Sequence, residues 1–151
     1  HSYIEEVVLS LRPKLKNTGH KLVLECPESL IIESYPGALA QIVTNFLSNS
    51  LLHAYEPGQN GRIVINISRD GDWVTLRYSD DGRGIPKDNL KRIFDPFFTT
   101  KRGSGGSGLG MHIVFNLVTQ LLKGTIQVRS EPGKGTEFLV RFPIQLMRAA
   151  A

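Results

Sequence analysis

The chain has 151 residues, 40% of them hydrophobic and 21% charged, with a net charge of +4, which predicts one globular domain. No apolar run approaches the roughly 20 residues that cross a bilayer, and Cys26 is the single cysteine, so neither a membrane span nor a disulfide framework is predicted. The basic residues are scattered rather than interleaved with aromatic residues, which excludes a typical nucleic-acid-binding surface.

The first third of the chain predicts a helix, two short strands and a second helix. Apolar residues recur at helical spacing from Ile4 to Leu15, and Pro13 is expected to kink or restart this helix. Strands are predicted at residues 20–25 and 30–33. A longer helix is predicted from residue 34 to residue 53, because a proline suits its first turn.

The rest of the chain predicts two hairpins separated by a long loop and a helix. Asp70-Gly71 is a strong turn signal between two β-rich runs. Residues 80–110 are mostly irregular, and a loop of this length in a compact domain is usually functional or mobile. The predicted elements are strands at 62–68 and 73–79, a short helix at 89–93, a helix at 108–122, and strands at 125–130 and 136–142.

This order of elements predicts an α+β fold. We expect a two-layer sandwich in which a mixed, mostly antiparallel sheet of about five strands is covered on one face by three helices. Residues 1–147 are expected to form a single domain and residues 148–151 a terminal tail. The isolated domain is expected to be monomeric.

The second helix carries an unusual row of polar residues. Asn45, Asn49 and His53 are spaced four apart and share one helix face, although asparagine is a mediocre helix former. The row is either a solvated face with satisfied amides or a surface that approaches a metal–phosphate group, since an amide carbonyl is a suitable oxygen ligand for Mg²⁺.

A polar, glycine-containing segment, residues 80–86, directly follows a predicted strand. One interpretation is a plain turn, because Asp-Gly sequences are common in loops. The other is a carboxylate at a strand end that accepts a hydrogen bond from an exocyclic amine such as that of adenine. The flanking glycines would then let a flat ring lie against the backbone.

The long loop contains an aromatic cluster followed by a glycine run. Phe94, Phe97 and Phe98 form either a hydrophobic hinge or docking surface, or an anchor to the core. Five of the eight residues in 103–110 are glycine, which favours an anion at the start of the following helix. No Gly-Lys-Ser/Thr follows, which excludes a P-loop, and the preceding residues make a poor strand for a Rossmann loop.

Four of these segments, together with the last hairpin, resemble the catalytic ATP-binding domain of two-component sensor histidine kinases. The matching segments are 45–49 (N box), 80–84 (G1 box), 94–98 (F box), 106–111 (G2 box) and 130–138 (a Gly-x-Thr hairpin). That domain belongs to the superfamily of gyrase B, MutL and the large heat-shock chaperone ATPases, with the Bergerat fold. Each segment is a weak signal alone, but their shared order is specific.

The resemblance implies a role for each segment. Asn49 would be the Mg²⁺ ligand, Asn45 would lie near the phosphates of ATP, and His53 would contact the nucleotide. The adenine pocket would contain Asp80, which accepts the adenine amine, with Gly82, Gly84, Ile85 and Thr136. The ATP lid would contain Lys101, Gly106, Ser107, Gly108, Leu109 and Gly110. The three F-box phenylalanines would face a partner domain.

The resemblance also implies phosphoryl transfer rather than hydrolysis. Hydrolytic relatives have a glutamate general base four residues before the Mg²⁺ ligand, where this chain has Asn45. Asn45 and Asn49 are therefore the residues assigned to catalysis. None of the four histidines lies in a phosphoacceptor motif, so we expect the acceptor on a separate dimerisation domain of a longer kinase, with a response regulator downstream. The domain is expected to be cytoplasmic, whether or not the parent is membrane-anchored.

Two positions depart from the family pattern. Leu52 stands where many members have a lysine or arginine that meets a phosphate, so Lys101 or Arg102 of the lid would have to replace it. Ser50 stands where alanine is common, and we expect this replacement to be neutral.

Three alternative functions stay open at the level of sequence. A serine kinase of the anti-sigma-factor type shares these boxes. A non-catalytic nucleotide-binding module would agree with Leu52. A dinucleotide-binding dehydrogenase would use the Gly-x-Gly-x-x-Gly spacing of Gly103, Gly105 and Gly108.

Overall fold

Five strands lie in the described part of the chain and form one sheet. The structure, a computed structural model, describes residues 9, 11–13, 15, 16, 18–26, 37–98 and 109–144. The strands are β1 (Lys21–Glu25), β2 (Arg62–Asp70), β3 (Trp73–Asp80), β4 (Thr125–Glu131) and β5 (Gly135–Pro143), in the order β1-β2-β3-β5-β4. β1 runs parallel to β2, and the other neighbouring strands are antiparallel. The predicted mixed, mostly antiparallel sheet is confirmed.

Helices precede and separate the hairpins. They are α1 (Ala38–His53), α2 (Lys87–Leu90) and α3 (Gly110–Asn116), and α3 continues into a π-helical segment, Leu117–Leu121. In that segment the amide of Leu122 donates to the carbonyl of Leu117 at 2.9 Å. Lys123 then has a left-handed φ of 60°, so this helix ends where the sequence predicted.

The core lies between the helices and one face of the sheet. Alternate residues of β2, β3 and β5 point toward the helices, as the period of two requires. Leu11 and Leu15, which are helical, join the same buried cluster, so three helical parts of the chain contribute to it. The most deeply buried members include Ile42, Phe46, Leu47, Ile63, Ile65, Val74, Tyr78, Val114, Val118, Leu122, Val140 and Phe142. The two-layer α+β fold is therefore confirmed.

Some boundaries differ from those predicted. α1 begins at Ala38 after Gly37, whose φ is +80°. The short helix covers residues 87–90 rather than 89–93, because Pro86 immediately precedes its first turn. The predicted strand at 30–33, the predicted helix start at 34–36 and the tail 148–151 lie outside the described residues. Among the described residues, no helix is long and apolar enough to cross a bilayer.

The hairpin between β4 and β5 brings its backbone against the end of β3. Asp80 is paired with Thr136 across β3 and β5, and Gly135 has a φ of +101°. A Cβ at Gly135 would collide with the carbonyl oxygen of Asp80. Gly133, in the same hairpin, also has a positive φ of +82°, but a Cβ there would meet no atom within 4 Å.

These two glycines provide a matched pair for a stability measurement. Both substitutions to alanine pay the strain of a positive φ, about 1–2 kcal/mol, whereas only Gly135→Ala adds a backbone collision. We expect Gly135→Ala to lower the free energy of unfolding in urea by at least about 1 kcal/mol more than Gly133→Ala does. Equal losses in the two variants would show that the contact with Asp80 is not tight.

Candidate functional site

The carboxylate of Asp80 lies at the end of β3 and is only 8% exposed. Its Oδ2 accepts a hydrogen bond from Ser50 Oγ at 2.7 Å, and its Oδ1 accepts one from the amide of Gly82 at 3.0 Å. The backbone amide of Thr136 is a third donor. Burial raises the pKa of the Asp80 carboxyl, these hydrogen bonds oppose the rise, and the charge of Asp81 adds to it.

Thr136 lies beside Asp80 and is itself 7% exposed. Its hydroxyl is 2.9 Å from Ser130 Oγ, on the neighbouring strand. Ser130 Oγ also accepts a hydrogen bond from the amide of Ile85 at 2.7 Å and donates one to the carbonyl of Gly135. The structure therefore brings Asp80, Ile85 and Thr136 together around the ends of β3, β4 and β5.

The two glycines of the predicted adenine pocket have packing reasons that need no ligand. A Cβ at Gly82 would collide with Ala54 just after α1, and a Cβ at Gly84 would collide with the backbone of Glu131. Gly84 also has a φ of +78°. The loop after β3 is thus packed between the end of α1 and the end of β4, which fixes its position next to Asp80.

The polar row on α1 is half-buried along its length. Asn45 donates from Nδ2 to the carbonyl of Gly110 at 3.1 Å and accepts from Gln41 at 2.9 Å. Asn45 therefore joins α1 to the first residue of α3. For the amide of Asn49, by contrast, no hydrogen-bond partner is found within the described part of the chain. Leu52 is half-buried on the same helix.

Comparison with known proteins decides the family. Residues 35–146 match the histidine kinase-, DNA gyrase B- and HSP90-like ATPase family. The chain belongs to this family. The alternative of a dinucleotide-binding dehydrogenase is therefore wrong, and the ATP-binding fold predicted from the sequence is confirmed.

Two relatives of this ATPase domain are sensor histidine kinases. It is 35% identical over 133 residues to sensor histidine kinase RcsC of Escherichia coli, covering 85% of this chain and 14% of the relative. It is 39% identical over 117 residues to sensor histidine kinase ZraS of Escherichia coli, covering 78% and 24% respectively. The chain therefore spans less than a quarter of the length of either relative, and its similarity places it among histidine-kinase catalytic domains.

Solved structures of histidine kinases share the fold of this ATPase domain. The nucleotide-free catalytic domain of histidine kinase ThkA superposes with a TM-score of 0.79 at 27% identity, over 93% of this chain and 90% of that one. Full-length ShkA in complex with AMPPNP gives a TM-score of 0.78 at 29% identity, over 93% of this chain and 29% of that one.

The F-box phenylalanines of the ATPase domain have different environments. Phe94 packs inward, with its ring centroid 5.5 Å from that of Phe115 and 6.4 Å from that of Phe138. Phe97 is 59% exposed and has a φ of 66°, and Phe98 lies beneath the guanidinium of Arg92. Core anchoring thus accounts for Phe94, whereas Phe97 is more than half exposed.

Most of the predicted lid lies outside the described residues. The predicted lid residues that are not described are Lys101, Gly106, Ser107 and Gly108, and Arg102 is not described either. Leu109 and Gly110 are described, and Gly110 begins α3 in contact with Asn45. His53 is half-buried at the end of α1.

The structural roles of two polar residues were missed in the sequence. Ser50 was expected to be a neutral replacement, but the residue is 1% exposed and its hydroxyl contacts both Asp80 and Tyr78. Asp81 accepts hydrogen bonds from Tyr55 and from the amide of Arg62, each at 2.8 Å. The available signal for Ser50 was its position on the apolar face of α1, four residues after Phe46.

An open polar cleft lies beside the hydrogen bond between Tyr55 and Asp81, and it is distinct from the predicted site. It is lined by Tyr55, Glu56, Gln59, Asn60, Asp81, Gly82, Arg83 and Gly133. Arg83 is paired with Glu56 across it at 2.6 Å. Among the described residues that are assigned to the nucleotide, Gly82 alone lines this cleft.

The raised pKa of Asp80 predicts the direction in which the stability of the fold changes with pH. A carboxyl whose pKa is higher in the folded state than in the unfolded state destabilises the fold once the pH exceeds both values, and this penalty disappears as the pH falls. We therefore expect the melting temperature of Asp80→Asn, relative to that of the wild type, to be higher at about pH 8 than at about pH 4. Thermal unfolding across this range measures the effect.

The exposed turn residue Asp72 supplies the control for this measurement. The difference in melting temperature between Asp72→Asn and the wild type should not change with pH in the same way. A relative melting temperature of Asp80→Asn that does not rise from about pH 4 to about pH 8 would contradict a net cost of the buried charge.

Proposed function

We propose that this domain binds ATP with Mg²⁺ and donates the γ-phosphoryl group to a histidine on a separate dimerisation domain of the same parent kinase. The observation that carries the proposal is the buried, hydrogen-bonded carboxylate of Asp80 beside Thr136. A carboxylate held in this way accepts a hydrogen bond from an exocyclic amine, such as that of adenine. The complex of ShkA with AMPPNP supports an adenine nucleotide as the ligand.

Asn49 suits the proposed Mg²⁺ ligand. Its amide is half-buried on the polar row of α1 and lacks a partner among the described residues, and an amide oxygen is a ligand that Mg²⁺ accepts. Bound there, Mg²⁺ would neutralise charge on the phosphates. Asn45 and His53 lie one turn to either side along the same face and are assigned to the nucleotide as well.

The chemistry of Asn45 favours transfer over hydrolysis. Its amide is neutral, and both of its ends are engaged, by Gln41 and by Gly110, so it cannot act as a general base toward water. In the proposed transfer, an imidazole nitrogen forms a bond to the γ-phosphorus while the bond from that phosphorus to the β–γ bridging oxygen breaks, and ADP leaves. The phosphorylated histidine would then donate its phosphoryl group to a response regulator.

The parent protein is proposed to hold this domain in the cytoplasm, where ATP is available. We assign Gly82, Gly84 and Ile85 to the adenine pocket, and Leu109 and Gly110 to the end of the lid. For Lys101, Gly106, Ser107 and Gly108, the lid assignment stays a prediction from the sequence.

Calorimetric titration with ADP tests the binding step and the role of Asn49. In the wild type, affinity should be higher with Mg²⁺ than with a chelator. Asn49→Ala should lose most of that Mg²⁺-dependent gain, about tenfold or more, because one ligand of the ion is removed. The control is Asn66→Ala, on the sheet face opposite the helices, which should titrate as the wild type does. Folded wild-type protein that binds no ADP would refute the proposed function.

Exposed Phe97 is proposed to contact the dimerisation domain. With that domain supplied in trans, Phe97→Ala should slow phosphoryl transfer about tenfold or more, as for loss of an aromatic interface anchor, and should leave the affinity for ADP unchanged. Trp73→Ala is the matched control, because Trp73 is also an exposed aromatic residue, 38% accessible, at the β2–β3 turn. Equal rates of phosphoryl transfer in both variants would show that Phe97 does not contribute to the interface. Transfer of the phosphoryl group to a serine would favour the serine-kinase alternative.

A further inference from the structure

A chain of three buried polar groups connects α1 to the end of β3. The Tyr78 hydroxyl donates to Ser50 Oγ at 2.9 Å, and Ser50 Oγ donates to Asp80 Oδ2 at 2.7 Å. Ser50 is 1% exposed and Tyr78 is fully buried. Tyr78 and Asp80 are two residues apart on β3 and therefore point to the same face of the sheet.

The direction of these hydrogen bonds is set by chemistry. An ionised carboxylate can only accept, so Ser50 must donate its single proton to Asp80. Tyr78 then supplies the proton that a lone pair of Ser50 accepts. Burial raises the pKa of Tyr78, so this phenol stays protonated at physiological pH and remains a donor.

The position of Tyr78 also fixes where Ser50 lies. The ring of Tyr78 packs on Phe46, with 5.2 Å between centroids, and its hydroxyl reaches Ser50, one helical turn later on α1. The aromatic contact and the hydrogen bond together hold the register of α1 against β3. A serine in a helix otherwise competes for backbone carbonyls of the preceding turn, and Tyr78 favours the rotamer that faces Asp80.

We propose that Ser50, oriented by Tyr78, is a positioning residue that holds Asp80 as an ionised, fixed hydrogen-bond acceptor and thereby sets the preference for adenine over guanine. The inference rests on the proposed function of Asp80. A fixed carboxylate accepts from the exocyclic amine of adenine and repels the carbonyl oxygen that guanine has in its place. A protonated carboxyl would donate to that carbonyl, so the discrimination depends on ionisation.

The test is titration of ADP and GDP, each with Mg²⁺, into wild type, Ser50→Ala and Tyr78→Phe. Ser50→Ala should weaken ADP binding about tenfold, the effect of losing one hydrogen bond to a charged group, and should weaken GDP binding less, so that the ADP-to-GDP ratio falls. Tyr78→Phe should show a smaller change in the same direction. Ser48→Ala, on the exposed side of the same helix, controls for the change in helix propensity.

A double variant separates positioning from folding. Ser50→Ala leaves the buried Tyr78 hydroxyl without its partner and is expected to lower the melting temperature, whereas Ser50→Ala with Tyr78→Phe removes both groups. The double variant should recover stability but keep the reduced ADP-to-GDP ratio. If stability and the ratio both recover, or if a folded Ser50→Ala protein keeps the wild-type ratio, the proposed role of Ser50 is overturned.

The pH profile of ADP binding provides a readout that a structural role alone would not move. Without the Ser50 donor, the loss of ADP binding at acid pH should begin at a higher pH than in the wild type. The other groups that bear on Asp80 are Asp81, Tyr78 and Tyr55, and Ser50→Ala leaves all of them in place. If Ser50→Ala loses ADP binding at the same acid pH as the wild type, the proposal is contradicted. Absence of ADP binding in the wild type would instead refute the proposed function.

Discussion

A carboxylate is buried at the end of β3, and the surrounding structure supplies the donors that keep it an acceptor. Asp80 is 8% exposed, and an isolated charge at that depth would be neutralised by protonation. Its donors come from three separate parts of the chain, namely Ser50 on α1, Gly82 in the loop and Thr136 on β5. The site therefore exists only when helix, loop and sheet are assembled, which ties recognition of a ligand to completion of the fold.

Close backbone contacts make that assembly possible. Gly82 lies against Ala54, Gly84 against Glu131, and Gly135 against the carbonyl of Asp80. Each contact draws a different segment to the end of β3, and each excludes a side chain at the glycine. The glycines near the site are thus required by the protein itself, and any benefit to a bound base comes in addition. A loop held by such contacts needs no ligand to acquire its shape, so little ordering entropy is lost there on binding.

The sequence predicted the fold well, and the segments of a candidate site could be named from it, because both depend on local signals. The period of two in β2 and β3, the Asp70-Gly71 turn and the polar row of Asn45 and Asn49 are visible along the chain. The bond of Ser50 to Asp80 joins residues 30 positions apart, and that of Asn45 to Gly110 joins residues 65 apart. No local pattern encodes such pairings, so Ser50 was judged neutral. Likewise, three similar phenylalanines gave no sign that Phe94 packs inward whereas Phe97 is largely exposed.

Two contacts hold α3 to other parts of the chain. Its first residue is held by Asn45 of α1, and two residues later His112 Nδ1 lies 3.1 Å from the carbonyl of Phe94. The polar row and the aromatic segment therefore share one short helix as a common support. A shift of α3 along its axis would disturb both bonds at once. A ligand on the polar row and a partner on the aromatic segment would each bias the position of this helix, and their binding free energies would then be coupled reciprocally.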